Sequence, residues 1–397
     1  VSAPPVYLNA LGIVCALGCG KDDVTAALFA ADVPRGVAMS ERYTPGRPLP
    51  LGEVRGELAD LSLDETPLRS RNNALLRTAF AQIRDEVAAA VAHHGAHRVA
   101  VVVGTSTSGI AETERAMPAR LMQGAWPDGF HYAQQEIGAP SRFVALEAGT
   151  CGPAWTISTA CSSGAKALAS AARLLQAGIV DAVIAGGADS LCGFTLGGFG
   201  ALESVSSLRC NPFSRHRDGI NIGEGAALFL LTRERGPVRL AGWGESADAH
   251  HISAPEPQGV GAIAAIEAAL ARAGIGPDEV DYVNLHGTAT PQNDAMESRA
   301  VAAVLGSHTP VSSTKPLTGH ALGAAGAIEA GLCWLAMAHN PDQHLPPHWW
   351  DGEADASLPA LAFVAPGQRA AAPLRYALSN SFAFGGSNAA LLFGSEG

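Results

Sequence analysis

Apolar positions along this 397-residue chain fall in short unbroken runs rather than in strict alternation. Val99–Gly104 (VAVVVG) and Gly225–Leu231 (GAALFLL) are two such runs. They predict strands covered by helices on both faces, because a strand with one wet face would alternate. The surrounding pattern repeats. A β-branched run ending in Gly-Thr-x-Thr occurs at Val99–Gly109 and again at Val280–Pro291, 183 residues on. Thr156–Gly178 reads as strand, tight Gly/Ser loop and Ala-rich helix, and Val311–Ala338 repeats that order at an offset of 159. Gly223–Leu231 is echoed by Gly386–Phe393 at an offset of 163. Three similar pairs in one order predict two homologous halves, residues 1–236 and 237–397, the second opening on a strand at Val238–Leu240. A layered α/β fold with two central sheets follows.

Composition narrows the class. Apolar residues make up 47% of the chain and charged ones only 16%, which excludes a disordered chain. The longest weakly charged stretch, Leu322–Ala338, has 17 residues and includes Glu329, so it falls short of a membrane span. A formal charge of −11 argues against nucleic acid as a partner. Arg69, Arg71 and Arg77 form one candidate patch for an acidic partner, although a solvated helix face is the plainer reading of those three. Seven cysteines without a Cys-x-x-Cys pair, and no secretory leader before them, fit reduced thiols in a cytoplasmic protein. The adjacent pairs His93-His94 and His250-His251 cannot share a helix face, and no metal is expected. The 45 glycines predict close backbone approaches and special turns.

Chemistry concentrates in three loops. Ser158-Thr159-Ala160-Cys161-Ser162-Ser163-Gly164 carries a cysteine between a strand and a helix running to about Gln176. Free N–H groups and the helix dipole there would favour a thiolate, and the small neighbours would let a substrate reach it. Asn284–Pro291 places His286 after a strand, and Lys315–His320 places His320 at the start of a helix. By the 159-residue echo, His320 stands in the second half where Cys161 stands in the first. Pseudo-symmetry would aim both loops at one central site. A helix N-terminus would also hold the histidine neutral.

These motifs resemble the β-ketoacyl-[acyl-carrier-protein] synthases of the elongating type, on the thiolase fold. The resemblance rests on Thr159–Gly164, His286-Gly287-Thr288, Lys315 with Thr318-Gly319-His320, Asn211-Pro212-Phe213 with Arg217-Asp218-Gly219 and Gly223–Ala226, and Asn380–Asn388. It implies a five-layered αβαβα fold and a decarboxylating Claisen condensation. Cys161 would carry the acyl chain, while His286 and His320 would stabilise the enolate left when malonyl-carrier protein loses carbon dioxide. Lys315 and Glu329 would orient His320. The N–H groups of Cys161 and Phe384 would form the acyl oxyanion hole, and Thr288 and Thr290 would hold the pantetheine arm. Phe382 and Phe384 would gate an acyl pocket floored by Thr107 and walled by Phe199. No cofactor is implied beyond the carrier's phosphopantetheine. The implied partners are acyl carrier protein and a second subunit, identical or a related ketosynthase or chain-length factor.

Several positions depart from the family pattern. Ala383 replaces a Gly between the two Phe residues, which would strain the loop if φ there were positive. Pro291-Gln292-Asn293-Asp294 alters the opposite loop, and the segment from Gly109 to Cys151 is short. These departures suggest a pocket suited to a polyene or other unsaturated chain. A non-catalytic chain-length-factor subunit is the main alternative, and Cys161, His286 and His320 argue against it. A degradative thiolase would need a second cysteine near the C-terminus. The initiating synthases have Asn in place of His320, and a Cys-His hydrolase would leave one histidine redundant.

Overall fold

In the computed structural model, residues 4–396 are described. The strands are β1 Tyr7–Cys15, β2 Val99–Gly104, β3 Ala154–Ile157, β4 Ala182–Asp189, β5 Gly225–Thr232, β6 Val238–Ala247, β7 Tyr282–Asn284, β8 Pro310–Ser312, β9 Ala362–Phe363, β10 Tyr376–Ala383 and β11 Ser387–Ser395. With a short strand at Gly18–Cys19 beside β1, they form a twelve-stranded sheet in the order β9-β8-β7-β10-β11-β6-β1-β5-β4-β2-β3. Read outward from the middle, the two halves are the same. In one, β1-β5-β4 are antiparallel and β4-β2-β3 parallel. In the other, β6-β11-β10 are antiparallel and β10-β7-β8 parallel.

One expectation is corrected here. The two half-sheets are not separate: β1 and β6 pair antiparallel, Tyr7 with Arg239 and Leu8 with Val238, and join them edge to edge. Pairing two strand edges satisfies backbone groups that would otherwise be left open.

Burial follows the two-residue period that the sequence hides. Val99, Val101 and Val103 of β2 face one core with Leu75, Leu76 and Phe80 of the Arg71–Phe80 helix. Their neighbours Ala100 and Val102 face a central core with the helices Ser163–Gln176 and Ala325–Ala338. On the other side, Val283, Leu378 and Leu392 pack against the Val260–Ala273 helix. The layers are therefore helix, half-sheet, helix pair, half-sheet, helix. With both faces covered, β2 and most of β4 and β5 are apolar at successive positions, which explains the unbroken runs.

Glycines allow the central helices to touch. A Cβ on Gly164 would lie 2.7 Å from the Ala327 nitrogen, and one on Gly326 would lie 2.9 Å from that of Ala165. The N-termini of the two central helices consequently meet at the C-terminal ends of the parallel strands, where α/β sheets place their sites.

Candidate active site

Cys161 sits two residues before the Ser163–Gln176 helix, on a turn held by its own serines. Ser163 Oγ accepts the Thr159 N–H (2.9 Å) and donates to the Ala160 carbonyl (2.6 Å). Ala160 is held at φ 50°, a conformation costing about 1–2 kcal/mol for a residue with a Cβ. The turn lifts the sulfur out of the strand line into a cavity of about 240 Å³, lined by Cys161, His286, His320 and Phe384 among others.

His286 follows β7. Its N–H and that of Gly287 both donate to the Glu297 carboxylate at 2.7 Å, from the helix Pro291–Leu305. Gly287 is required there: φ is 36°, and a Cβ would lie 2.5 Å from that of Ser313. The backbone of His320 is clamped from both sides, its N–H on the Asn221 carbonyl (2.6 Å) and its carbonyl on the Gly223 N–H (2.9 Å). The following helix starts only at Ala325, after a 3₁₀ turn at Leu322–Ala324, so His320 does not itself open it.

These loops bring the three side chains together. His320 Nε2 lies 3.0 Å from Cys161 Sγ, and the imidazoles of His286 and His320 stand edge to face, 5.3 Å apart. The backbone N–H groups of Phe384 and of Cys161 itself lie near the sulfur and favour its charged form. All three side chains are buried.

The electrostatics differ in cause from the sequence expectation. Burial pushes the Cys161 thiol up to about 12, against the opposing charge of Lys315 and the two N–H groups, so the helix terminus does not produce a resting thiolate. Burial first, and then the charge of Lys315, hold both histidines well below the ordinary imidazole value. They are neutral, as expected, but chiefly because they are dry. Lys315 itself is buried and ion-paired with Glu329, whose other oxygen has no partner among the described residues. Lys315 thus acts on His320 through charge rather than by a hydrogen bond.

Thr288, Thr290, Phe199, Phe382 and Phe384 all line the cavity, and Phe199 packs on Phe384 at 5.5 Å between ring centroids. The hydroxyls of Thr288 and Thr290 lie 3.0 Å apart. Gln292 and Asn293 of the altered loop face the same space. Thr107 does not line it. Its N–H and hydroxyl are engaged by the Asp189 carboxylate, at 3.1 and 3.0 Å. Ala383 is extended at φ −104°, and the left-handed positions of that loop fall on Gly385 and Gly386. Alanine therefore costs no strain there. The arginine patch is also spent internally: Arg71 pairs with Glu224, and Arg77 with Asp64 and Glu147.

Three buried carboxylates were missed from the sequence. They are Glu297, Asp294, which accepts from the Phe213 N–H (2.7 Å), and Asp189. Asp294 and Glu297 stand three residues apart on the helix that follows His286, a spacing visible in the sequence. The whole arrangement is a buried cysteine beside two neutral imidazoles. Such a site suits acyl transfer through a thioester.

Comparison with known proteins gives the family. Residues 73–236 match the family model described as "Beta-ketoacyl synthase, N-terminal domain", and 238–348 match its "C-terminal domain". The chain is 32% identical to a 3-oxoacyl-[acyl-carrier-protein] synthase 2 of Coxiella burnetii over 98% of its own length and 97% of that protein's. It is 36% identical to the mitochondrial 3-oxoacyl-[acyl-carrier-protein] synthase of Arabidopsis thaliana over 280 residues, covering 65% of this chain and 60% of that relative. Among solved structures, the complex of a ketosynthase (ApeO) with its chain length factor (ApeC) from Xenorhabdus doucetiae superposes with a TM-score of 0.93 at 46% identity, covering 99% of this chain and 98% of that one. The chain belongs to the β-ketoacyl synthase family, on the thiolase-like fold.

Among the described residues, no helix is long and apolar enough to cross a membrane.

Proposed function

We propose that this chain is a catalytically competent 3-oxoacyl-[acyl-carrier-protein] synthase of fatty-acid or polyketide biosynthesis, working in the reduced cytoplasm without a cofactor. The observation that carries this reading is the 3.0 Å approach of His320 Nε2 to Cys161 Sγ, with the His286 imidazole edge to face on His320 in the same cavity. Because the resting thiol is protonated, acyl transfer begins with the sulfur passing its proton to His320 as it attacks the acyl thioester. The Sγ–C bond forms, the carrier's C–S bond breaks, and the proton leaves on the pantetheine thiol. The N–H groups of Cys161 and Phe384 hold the oxyanion.

In the second stage a malonyl thioester occupies the space beside the two imidazoles. Its carboxylate leaves as carbon dioxide, and the bonding pair passes into an enolate whose oxygen accepts hydrogen bonds from His286 and His320. A single donor of this kind is worth about 3–4 kcal/mol in the transition state. The enolate carbon then attacks the acyl carbonyl, the Sγ–C bond breaks, Cys161 leaves as the thiolate and takes up one proton from solvent, and a 3-oxoacyl thioester departs on the carrier. Thr288 and Thr290, at the cavity wall, hold the pantetheine arm.

Partners follow from the same reading: acyl carrier protein, and a second ketosynthase-like subunit, identical or a chain-length factor. The complex from Xenorhabdus doucetiae holds both kinds of subunit. Cys161, His286 and His320 favour the catalytic side of such a pair for this chain. Intact-mass analysis with acyl-carrier proteins of different chains tests the assignment. The wild type should gain one acyl mass and Cys161→Ala none; acylation that persists in the variant removes the nucleophile. Chains limited to an ordinary saturated C8–C14 profile would refute the unsaturated-chain preference.

A further inference from the structure

Asp189 ends β4 with no exposed surface, and its carboxylate collects six donors. Three belong to side chains of the loop after β2: Thr105 Oγ1 at 2.5 Å, Ser106 Oγ at 2.6 Å and Thr107 Oγ1 at 3.0 Å. Two are the N–H groups of Ser106 (3.0 Å) and Thr107 (3.1 Å). The sixth comes from the other half of the molecule, the Gly323 N–H at 2.6 Å. None of the six is a cation. Burial raises the Asp189 carboxyl, and the number and alignment of these neutral donors oppose that shift.

The position of Gly323 gives this cluster a reach beyond packing. It lies three residues after His320, and Leu322 between them is held at φ 48°. A Cβ on Gly323 would come within 2.5 Å of the Ser106 nitrogen, so the two loops are in direct backbone contact. A Cβ on Gly164 would lie 3.1 Å from the Gly323 carbonyl, which places the Cys161 helix on the same seam. We propose that Asp189 is a positioning residue of the active site. It ties the loop that follows His320 in one half to the Thr105–Thr107 loop of the other, and thereby fixes His320 against Cys161. This deepens the condensing-enzyme reading and, for its effect on turnover, rests on it.

A double-mutant cycle separates this role from a structural one. Asp189→Asn should lower malonyl-carrier decarboxylation by about 10- to 100-fold, the cost of misplacing a catalytic group by an ångström or less. KM should change by less than about threefold. In a His320→Ala background the same substitution should cost less than about twofold, because the group it positions is gone. Equal losses in both backgrounds overturn the proposal. Should Asp189→Asn fail to fold, Ser106→Ala removes one hydroxyl donor and leaves the N–H; it should give a smaller loss, again only when His320 is present. Iodoacetamide alkylation of Cys161 against pH needs no substrate. Its rate should fall by about tenfold in Asp189→Asn at every pH, because a displaced His320 no longer takes the thiol proton, and an unchanged rate overturns the proposal. If His320→Ala alone leaves decarboxylation intact, the condensing reading fails instead, and the alkylation profile still reports on Asp189.

Discussion

Replacing Lys315 with methionine should destabilise the protein in a strongly pH-dependent way. Both Lys315 and Glu329 are almost fully buried, and they are bonded to each other. Removing one partner leaves the other charge uncompensated, which typically costs about 3–5 kcal/mol. The carboxyl has an escape, since burial already raises Glu329 and without Lys315 nothing opposes that shift. It can fold protonated. Holding an ordinary carboxyl protonated at pH 7 means lifting it about 2.7 units, or about 3.7 kcal/mol, and only about 1 kcal/mol at pH 5. The sign follows from linkage: in the variant the folded state binds a proton that the unfolded state has lost above pH ~4.3. Stability relative to wild type therefore falls as pH rises, by up to about 1.4 kcal/mol per unit. Urea unfolding of both proteins at pH 5, 6, 7 and 8 measures it. Lys315→Met/Glu329→Met should recover most of the loss and flatten the profile. A deficit of equal size at every pH would refute the reasoning, because it would mean that Glu329 is not the group carrying the penalty.

His320→Ala should lose malonyl decarboxylation by about 10²–10³-fold. Acyl loading of Cys161 should fall less, since the N–H groups of Phe384 and Cys161 still hold the acyl oxyanion; parallel loss of both reactions would contradict the division of labour. Ala383→Gly should destabilise by about 0.5–1 kcal/mol in chemical denaturation, because the backbone there is extended and glycine only loosens the unfolded chain. A stabilising effect would mean that Ala383 is strained after all.

Much of this site was legible because the chain is duplicated. Cys161 and His320 stand 159 residues apart in matching loops, and that echo alone predicted that they meet. The division into two similar halves was legible for the same reason, since three segments have counterparts in the same order. Their fusion through Tyr7–Arg239 and Leu8–Val238 was not, because an edge-to-edge pairing of two residue pairs leaves no pattern in either strand.

What stayed hidden has a common physical cause. Thr107 reads on sequence as a small polar residue in a loop, open to a pocket role. Its actual partner, Asp189, lies 82 residues away at the end of an apolar run, where a carboxylate looks like a strand terminus. A buried acid is recognised by its donors, and the donors of Asp189 come from both halves of the chain. The protonation states were misjudged for a related reason. The helix-terminus argument gives a neutral His320 but a thiolate at Cys161, because it leaves out the cost of burying the charge. Burial of Cys161 outweighs the opposing Lys315 charge and the nearby backbone N–H groups. The cysteine then depends on His320 to take its proton as it attacks, so the 3.0 Å separation matters more than the helix behind it. That dependence makes whatever fixes the His320 loop, Asp189 foremost, part of the chemistry.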